Sequence, residues 1–79
     1  MEVRAEFTVY PFEEGESPPP HVAAAIAEIE RRGIQVTLGP LGQLLVGPAE
    51  GVLEALRAGQ IAALEAGATR ITISVQAEP

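Results

Sequence analysis

The spacing of apolar residues changes in a fixed order along this chain, and that order limits the folds open to it. Apolar residues fall on every second position at residues 3–10 and again at 69–77, as in strands with one covered face. Between them lie two longer segments with apolar residues three or four apart, the spacing of amphipathic helices. Two short apolar segments separate those helices. The predicted order is strand, helix, strand, strand, helix, strand.

The first helical segment is bounded by residues that favour a helix start and a helix stop. Ser17 is predicted to cap its N-terminus, and the prolines at 18–20 are tolerated because first-turn amides have no intrahelical acceptor. Gly33 supplies a left-handed stop. Glu28 and Arg32 have the spacing of an ion pair. The predicted apolar stripe consists of Val22, Ala25, Ile26 and Ile29.

The second half of the chain is predicted to be a hairpin, a helix and a last strand. Strands at 34–38 and 43–47 are joined by the turn Gly-Pro-Leu-Gly at 39–42. The second helix is predicted to run from Pro48 to about Ala66. Ile61 projects away from its buried side and is expected to be either a lone exposed apolar residue or a subunit contact. That buried side is predicted to be Ala49, Val52, Leu53, Leu56, Gly59, Gln60, Ala63 and Leu64.

This order of elements predicts an α+β, ferredoxin-like fold formed by residues 1–79 as one domain. Two right-handed strand–helix–strand crossovers joined by a hairpin give a four-stranded antiparallel sheet with both helices on one face. The core is predicted to contain Phe7, Val9, Ile26, Ile29, Val36, Val52, Leu56, Ile71 and Ile73. The open face is predicted to carry Arg4, Glu6, Thr8, Tyr10, Gln35, Thr37, Thr72, Ser74 and Gln76.

The charged residues argue against several kinds of partner. The formal net charge is −6 at pH 7, and because nucleic acids and anionic membranes bind cationic surfaces, neither is an expected partner. A cationic small molecule is compatible with this charge. No apolar run approaches the roughly 20 residues of a membrane-spanning helix, and no signal peptide is recognised, so the expected location is the cytoplasm.

The chain also lacks most of the groups that catalysis requires. It contains no Cys, no Asp and a single histidine, His21, so nucleophilic triads cannot be assembled in their usual form. His21 is expected to be a surface or loop-packing residue. The carboxylates at 13, 14 and 16 do not combine with it into a recognised metal-ligand spacing. We therefore expect a binding protein with no catalytic residue and no metal.

Glu6 is the most informative polar residue because it lies on the open face of a predicted central strand. Covering a carboxylate without a partner is unfavourable. Either a cross-strand arginine, Arg4 or Arg70, neutralises it, or it meets a cation or the amino group of a ligand. The sequence leaves both alternatives open.

Several segments together follow a known pattern. Residues 5–11 read Ala-Glu-Phe-Thr-Val-Tyr-Pro, residues 67–70 read Gly-Ala-Thr-Arg, and Ser17 precedes a Val-Ala pair at 22–23. These segments resemble the small thiamine-binding-protein family over essentially the whole chain. The hairpin departs from the family pattern, because Gln43 stands where the family has Thr and Val46 where it has Glu.

The resemblance implies homodimers or homotetramers that bind thiamine or its hydroxymethylpyrimidine part without catalysis and without a separate cofactor. Independently, a cationic thiazolium suits an acidic chain, and an aminopyrimidine edge offers groups that carboxylates and hydroxyls can pair. The predicted ligand contacts are Glu6, Thr8, Ser17, Thr37 and Gln43.

A second function, from a different class, stays open. The chain could be a structural or regulatory interaction module whose sheet face serves self-association with no small ligand. The changes at Gln43 and Val46 favour this alternative, since losing a polar partner from a buried site costs about 1–3 kcal/mol.

Overall fold

The computed structural model describes residues 1–11, 18–39 and 42–78. Within them the sheet order is β2-β3-β1-β4, and each neighbouring pair is antiparallel. The predicted ferredoxin-like α+β fold is confirmed. The elements are β1 Glu2–Tyr10, α1 Pro20–Arg31, β2 Thr37–Gly39, β3 Gly42–Pro48, α2 Ala49–Glu65 and β4 Arg70–Ala77.

The core lies between the two helices and the central strands β1 and β3. Val3, Ala5, Phe7 and Val9 are all buried, as the strict alternation of β1 predicts. Of the predicted core, Phe7, Val9, Ile29, Val52 and Leu56 are buried, and Val36 and Ile71 pack partly buried against them. Ala25 and Ala63 are buried, as predicted for the apolar faces of their helices, and Val3 and Ala5 are buried on the face of β1 that carries Phe7. The core also contains three residues that were not predicted in it: Leu45, Ala55 and Ala68.

Two predicted core residues are not in the core. Ile26 is only partly buried, and Ile73 is exposed. The reason for Ile73 is its place on β4, an edge strand, whereas α2 packs over β1 and β3. The sheet is wider than the helical layer that covers it.

Helix α2 is turned relative to its predicted orientation. Leu53 and Leu64 were expected to be buried but are exposed, and Ala55 is buried instead. In this orientation α2 lies close to α1: a Cβ added to Gly59 would lie 2.9 Å from Ile29 Cδ1. Gly59, predicted on the buried side of α2, therefore lies where α2 approaches α1 closely. Ile61 is exposed, as expected.

Strand β2 is shorter than predicted. It comprises three residues, and Ile34 packs against the core from outside any strand. Leu38 is 82% exposed, because it lies on the short edge strand beyond the helices. Gly39 pairs with Gly42 at the end of the hairpin, as a tight turn requires.

Helix α1 begins at Pro20, two residues later than predicted. Pro19 is extended, with φ −63° and ψ 159°, because a residue that precedes a proline is disfavoured in the helical region. Pro18 and Pro19 both precede prolines, so the helix can start only at Pro20. The predicted cap, Ser17, lies outside the described residues.

The predicted helix stop at Gly33 and the predicted ion pair of Glu28 and Arg32 are confirmed. Gly33 and Gly67 have φ of 85° and 108° after the two helices, which glycine adopts without strain. Glu28 pairs with Arg32 and with Arg31 at 2.6 Å, and their hydrogen bonds hold the pKa of Glu28 below its ordinary value. Of the two helices described, neither is long and apolar enough to cross a membrane.

Candidate functional site

The open face of the sheet brings polar side chains from different strands into rows. Glu6 pairs with Ser74 of β4 on one side and Leu44 of β3 on the other. Thr8 pairs with Thr72 in the adjacent row. Residues directly opposite in an antiparallel pair share a face. Glu6, Thr8, Thr72 and Ser74 therefore place one carboxylate and three hydroxyls on the same open face of β1 and β4.

Those four side chains line a shallow depression of about 430 Å³, a volume that includes open solvent. An ionised carboxylate accepts hydrogen bonds, and a hydroxyl both donates and accepts. The depression can therefore pair with an amino group and with the acceptor atoms beside it. Glu6 and Thr8 each already take part in an interaction within the chain, so a ligand would add to these contacts or replace them.

The hairpin glycines make room for the site. A Cβ at Gly39 would lie 2.9 Å from Glu6 Oε2, and one at Gly42 would lie 2.6 Å from Thr8 Oγ1. Any other residue at either position would press on a site side chain. Sequence reasoning assigned these glycines only to a turn; their second role could be recognised only once β3 was aligned with β1.

Gly42 is expected to be intolerant of substitution. Its φ is 148°, and an added Cβ would lie 2.5 Å from the Phe7 carbonyl oxygen, so Gly42→Ala should lower the free energy of unfolding by about 1–3 kcal/mol. Gly51→Ala is the matched control. Its Cβ would make an ordinary 3.8 Å contact with Ile34 Cδ1, and in a helix this change should stabilise by about 0.5–1 kcal/mol. Urea unfolding of both variants checks the opposite signs; a neutral Gly42→Ala would contradict this reading of the hairpin.

The two arginines considered as counter-charges for Glu6 have other contacts. Arg4 lies 3.9 Å from the Glu78 carboxylate, and the Arg70 guanidinium lies 4.9 Å from the centre of the Tyr10 ring. Arg70 thus makes a cation–π contact at the end of β1. Both arginines lie on the open face of the sheet with Glu6.

The structure brings together only some of the predicted ligand contacts. Glu6 and Thr8 are neighbours, and Thr37 shares the row of Glu6 through Leu44, about 10 Å away at two strand spacings. Gln43 pairs with Phe7 and Leu38, which places it on the helix side of the sheet. Ser17 lies outside the described residues.

Thr72 and Ser74 complete the depression but were not predicted as ligand contacts. The alternation of β4 already placed both on the open face, and a pairing of the first and last strands would have put them beside Glu6 and Thr8. That pairing follows from the ferredoxin-like sheet order, so the predicted fold already implied that Thr72 and Ser74 lie beside Thr8 and Glu6. Neither residue belongs to the segments that resemble the family, so the resemblance alone does not indicate them.

His21 lies elsewhere and has a packing role. It is 5% exposed, and its Nε2 is 2.7 Å from the Pro11 carbonyl oxygen, which ties α1 to the end of β1. The expectation of a packing residue is met, although the residue is buried. Among the described residues, no three His, Cys, Asp or Glu side chains are grouped to hold a metal ion.

With this geometry in place, comparison with known proteins identifies the family. Residues 5–78 match the family described as "Thiamine-binding protein". The chain belongs to this family. The matched range contains the whole depression and both hairpin glycines. No curated protein matches the chain.

Solved structures share the fold at low sequence identity. A domain of unknown function, DUF77, from Bacillus cereus is 24% identical with a TM-score of 0.68, covering 95% of this chain and 72% of that one. A Streptococcus pneumoniae protein is 17% identical with a TM-score of 0.70, covering 96% and 83%. A Thermotoga maritima protein described as a "putative thiamine biosynthesis/salvage protein" is 18% identical with a TM-score of 0.65, covering 96% and 81%. These likenesses show the fold.

Proposed function

We propose that this member of the thiamine-binding family binds thiamine or a related pyrimidine, such as hydroxymethylpyrimidine, as a homo-oligomer in the cytoplasm. The observation that carries the proposal is the cluster of Glu6, Thr8, Thr72 and Ser74 in one depression, within the residues that match the family. The Thermotoga relative's description in terms of thiamine biosynthesis or salvage points the same way.

The chemistry of the cluster fits an aminopyrimidine. The Glu6 carboxylate would accept from the exocyclic amino group, and hydroxyls of Thr8 or Ser74 would donate to ring nitrogens. Leu44, the neighbour of Glu6 on β3, offers apolar surface to a ring. The net charge of −6 favours a cationic thiazolium over an anionic ligand.

The proposed activity is binding without catalysis. The sequence has neither Cys nor Asp, and its one histidine is engaged with the Pro11 carbonyl oxygen. The depression offers hydrogen-bonding groups in place of an activated nucleophile. On this proposal thiamine or its pyrimidine part is the bound ligand, and no separate cofactor or metal is needed.

Thermal unfolding in the presence of candidate ligands tests the proposal. A ligand at 100 times its Kd should stabilise the folded protein by about 2.7 kcal/mol, seen as a rise in Tm that grows with concentration. The series contains thiamine, its phosphates and hydroxymethylpyrimidine, with the Thr72→Val variant as a site control. A rise in wild type that shrinks in Thr72→Val supports the proposal. No rise with any compound would favour the interaction module instead.

A further inference from the structure

Arg70 differs from the other arginines of this acidic chain in what it contacts. Three of the five arginines pair with carboxylates, and Arg57 lies exposed on α2. Arg70 is exposed on the open face of the sheet, and no carboxylate among the described residues forms an ion pair with it. Its contact is with the ring of Tyr10, whose centre lies 4.9 Å from the guanidinium carbon.

The contact with Tyr10 prepares the guanidinium for binding an anion. A cation–π contact draws on the charge of the guanidinium and not on a hydrogen bond, so its N–H donors stay available. The ring also restricts a long side chain that would otherwise lose rotamer freedom on binding. Arg70 is thus a partly ordered cation whose hydrogen-bonding capacity is open to a ligand.

The strand register places this cation in line with the polar depression. The polar residues of the open face of β1 and β4 form three successive rows: Glu6 with Ser74, Thr8 with Thr72, and Tyr10 with Arg70. Each row advances two residues along a strand, so neighbouring rows are about 7 Å apart. The open face therefore presents a carboxylate, then hydroxyls, then a guanidinium over about 14 Å.

We propose that the ligand of this site is a phosphomonoester, with its phosphate held by Arg70 and its amino group by Glu6. The inference rests on the proposed function for the pyrimidine end and adds the chemical class of the other end. A guanidinium presents paired N–H donors that match two oxygens of a phosphate. The Thr72 hydroxyl, one row away, can donate to a further phosphate oxygen.

The distance between the two charged ends selects among the phosphate esters. In hydroxymethylpyrimidine phosphate the phosphate and the amino group are attached at neighbouring positions of one ring, which is too short a separation to span three rows. In thiamine monophosphate a second ring and a two-carbon chain lie between them. The thiazolium ring would then lie along the row of hydroxyls. The spacing of Glu6 and Arg70 therefore favours thiamine monophosphate.

The net charge of −6 is compatible with this ligand. Thiamine monophosphate keeps the cationic thiazolium, so it carries charges of both signs. Exposed charges act over about 8–10 Å at physiological salt, and the nearest charge to a phosphate in the third row is that of Arg70. The local arrangement of charges therefore decides the orientation of the ligand.

Calorimetric titration with thiamine and with thiamine monophosphate measures what the phosphate adds. The wild type should bind the monophosphate about 10- to 150-fold more tightly than thiamine, the range for charge-assisted hydrogen bonds. Arg70→Gln should bind both compounds equally, with the wild-type affinity for thiamine. Arg70→Lys keeps the charge and loses the paired donors, so its ratio of affinities should lie between the two. Adding a phosphate to hydroxymethylpyrimidine should raise affinity less than adding one to thiamine.

Arg4→Gln is the matched control, because it removes an equal charge from the same face at the far end of the strands, beside Gln76 and Glu78. It should keep the wild-type ratio, and circular dichroism checks that each variant folds. Equal affinity of the wild type for thiamine and its monophosphate, or an undiminished ratio in Arg70→Gln, would overturn the phosphate assignment and leave thiamine binding in place. An equal gain for both phosphates would overturn the choice of thiamine monophosphate. If none of the compounds binds, the proposed function fails as well.

Discussion

Leu56→Ala is expected to lower the free energy of unfolding by about 2–5 kcal/mol. Leu56 is buried in the core beside Val52 and Ala55, and it also lines an apolar groove with Ile71 and Ile73 of β4. Truncation removes apolar contacts and enlarges a space that the packed helices can only partly fill. Since small domains are stable by about 5–15 kcal/mol, the loss would be a large share of the total.

Leu38→Ala is the matched control, because the same side chain is 82% exposed on β2 and its loss should change stability by less than about 0.5 kcal/mol. Ile26→Ala should fall between the two, since Ile26 is only partly buried. Urea unfolding with equal m-values for the three variants measures the order. Equal losses for Leu56 and Leu38 would mean that the assigned face of α2 is wrong.

The sequence predicted β1 and its two faces because strict alternation leaves one assignment. Val3, Ala5 and Phe7 could only form a covered face, and Glu6 and Thr8 could only lie opposite them. In β3 the pattern is ambiguous, since Leu44 and Leu45 are adjacent and either could face the helices. The register with β1 decides, and it turns Gln43 toward the helices. Gln43 therefore lies on the opposite face of the sheet from Glu6 and Thr8, with which it was grouped as a predicted ligand contact.

The orientation of α2 shows a second limit of pattern reasoning. Leu53 and Leu64 are more apolar than Ala55, so periodicity alone favours burying the leucines. What decides is the close approach at Gly59, where the Ile29 side chain lies against the backbone of α2. With the helices packed at this distance, Ala55 is buried and both leucines are exposed. Steric fit between two helices depends on the side chains of both, so the hydrophobicity pattern of one helix cannot predict it.

The sheet edges show a third limit. Ile73 and Val75 alternate as a covered strand should, yet both are exposed, because two helices cannot cover four strands. The alternation predicts that one face of β4 is covered, and Ile73 was therefore predicted to lie in the core under the helices. Alternation shows which face of a strand is apolar but not which part of the molecule covers that face.

Glu6→Gln is expected to weaken ligand binding by roughly 10- to 150-fold while leaving most of the folding stability in place. The change keeps the shape of the side chain and removes its charge, so a charge-assisted hydrogen bond to a ligand amino group is lost, worth about 1.5–3 kcal/mol. The sheet keeps its backbone ladder through Leu44 and Ser74. Isothermal titration calorimetry with the ligand that raises the Tm measures the change in affinity.

Glu2→Gln is the control for Glu6→Gln, because Glu2 lies on the same face of β1, four residues away and outside the depression. It removes an equal charge and should leave affinity unchanged, which separates a direct contact from a general effect of net charge. If Glu6→Gln instead kept the wild-type affinity and lowered the Tm strongly, Glu6 would be a structural residue. Its interaction within the chain would then explain the carboxylate on the open face, and the ligand would have to bind elsewhere.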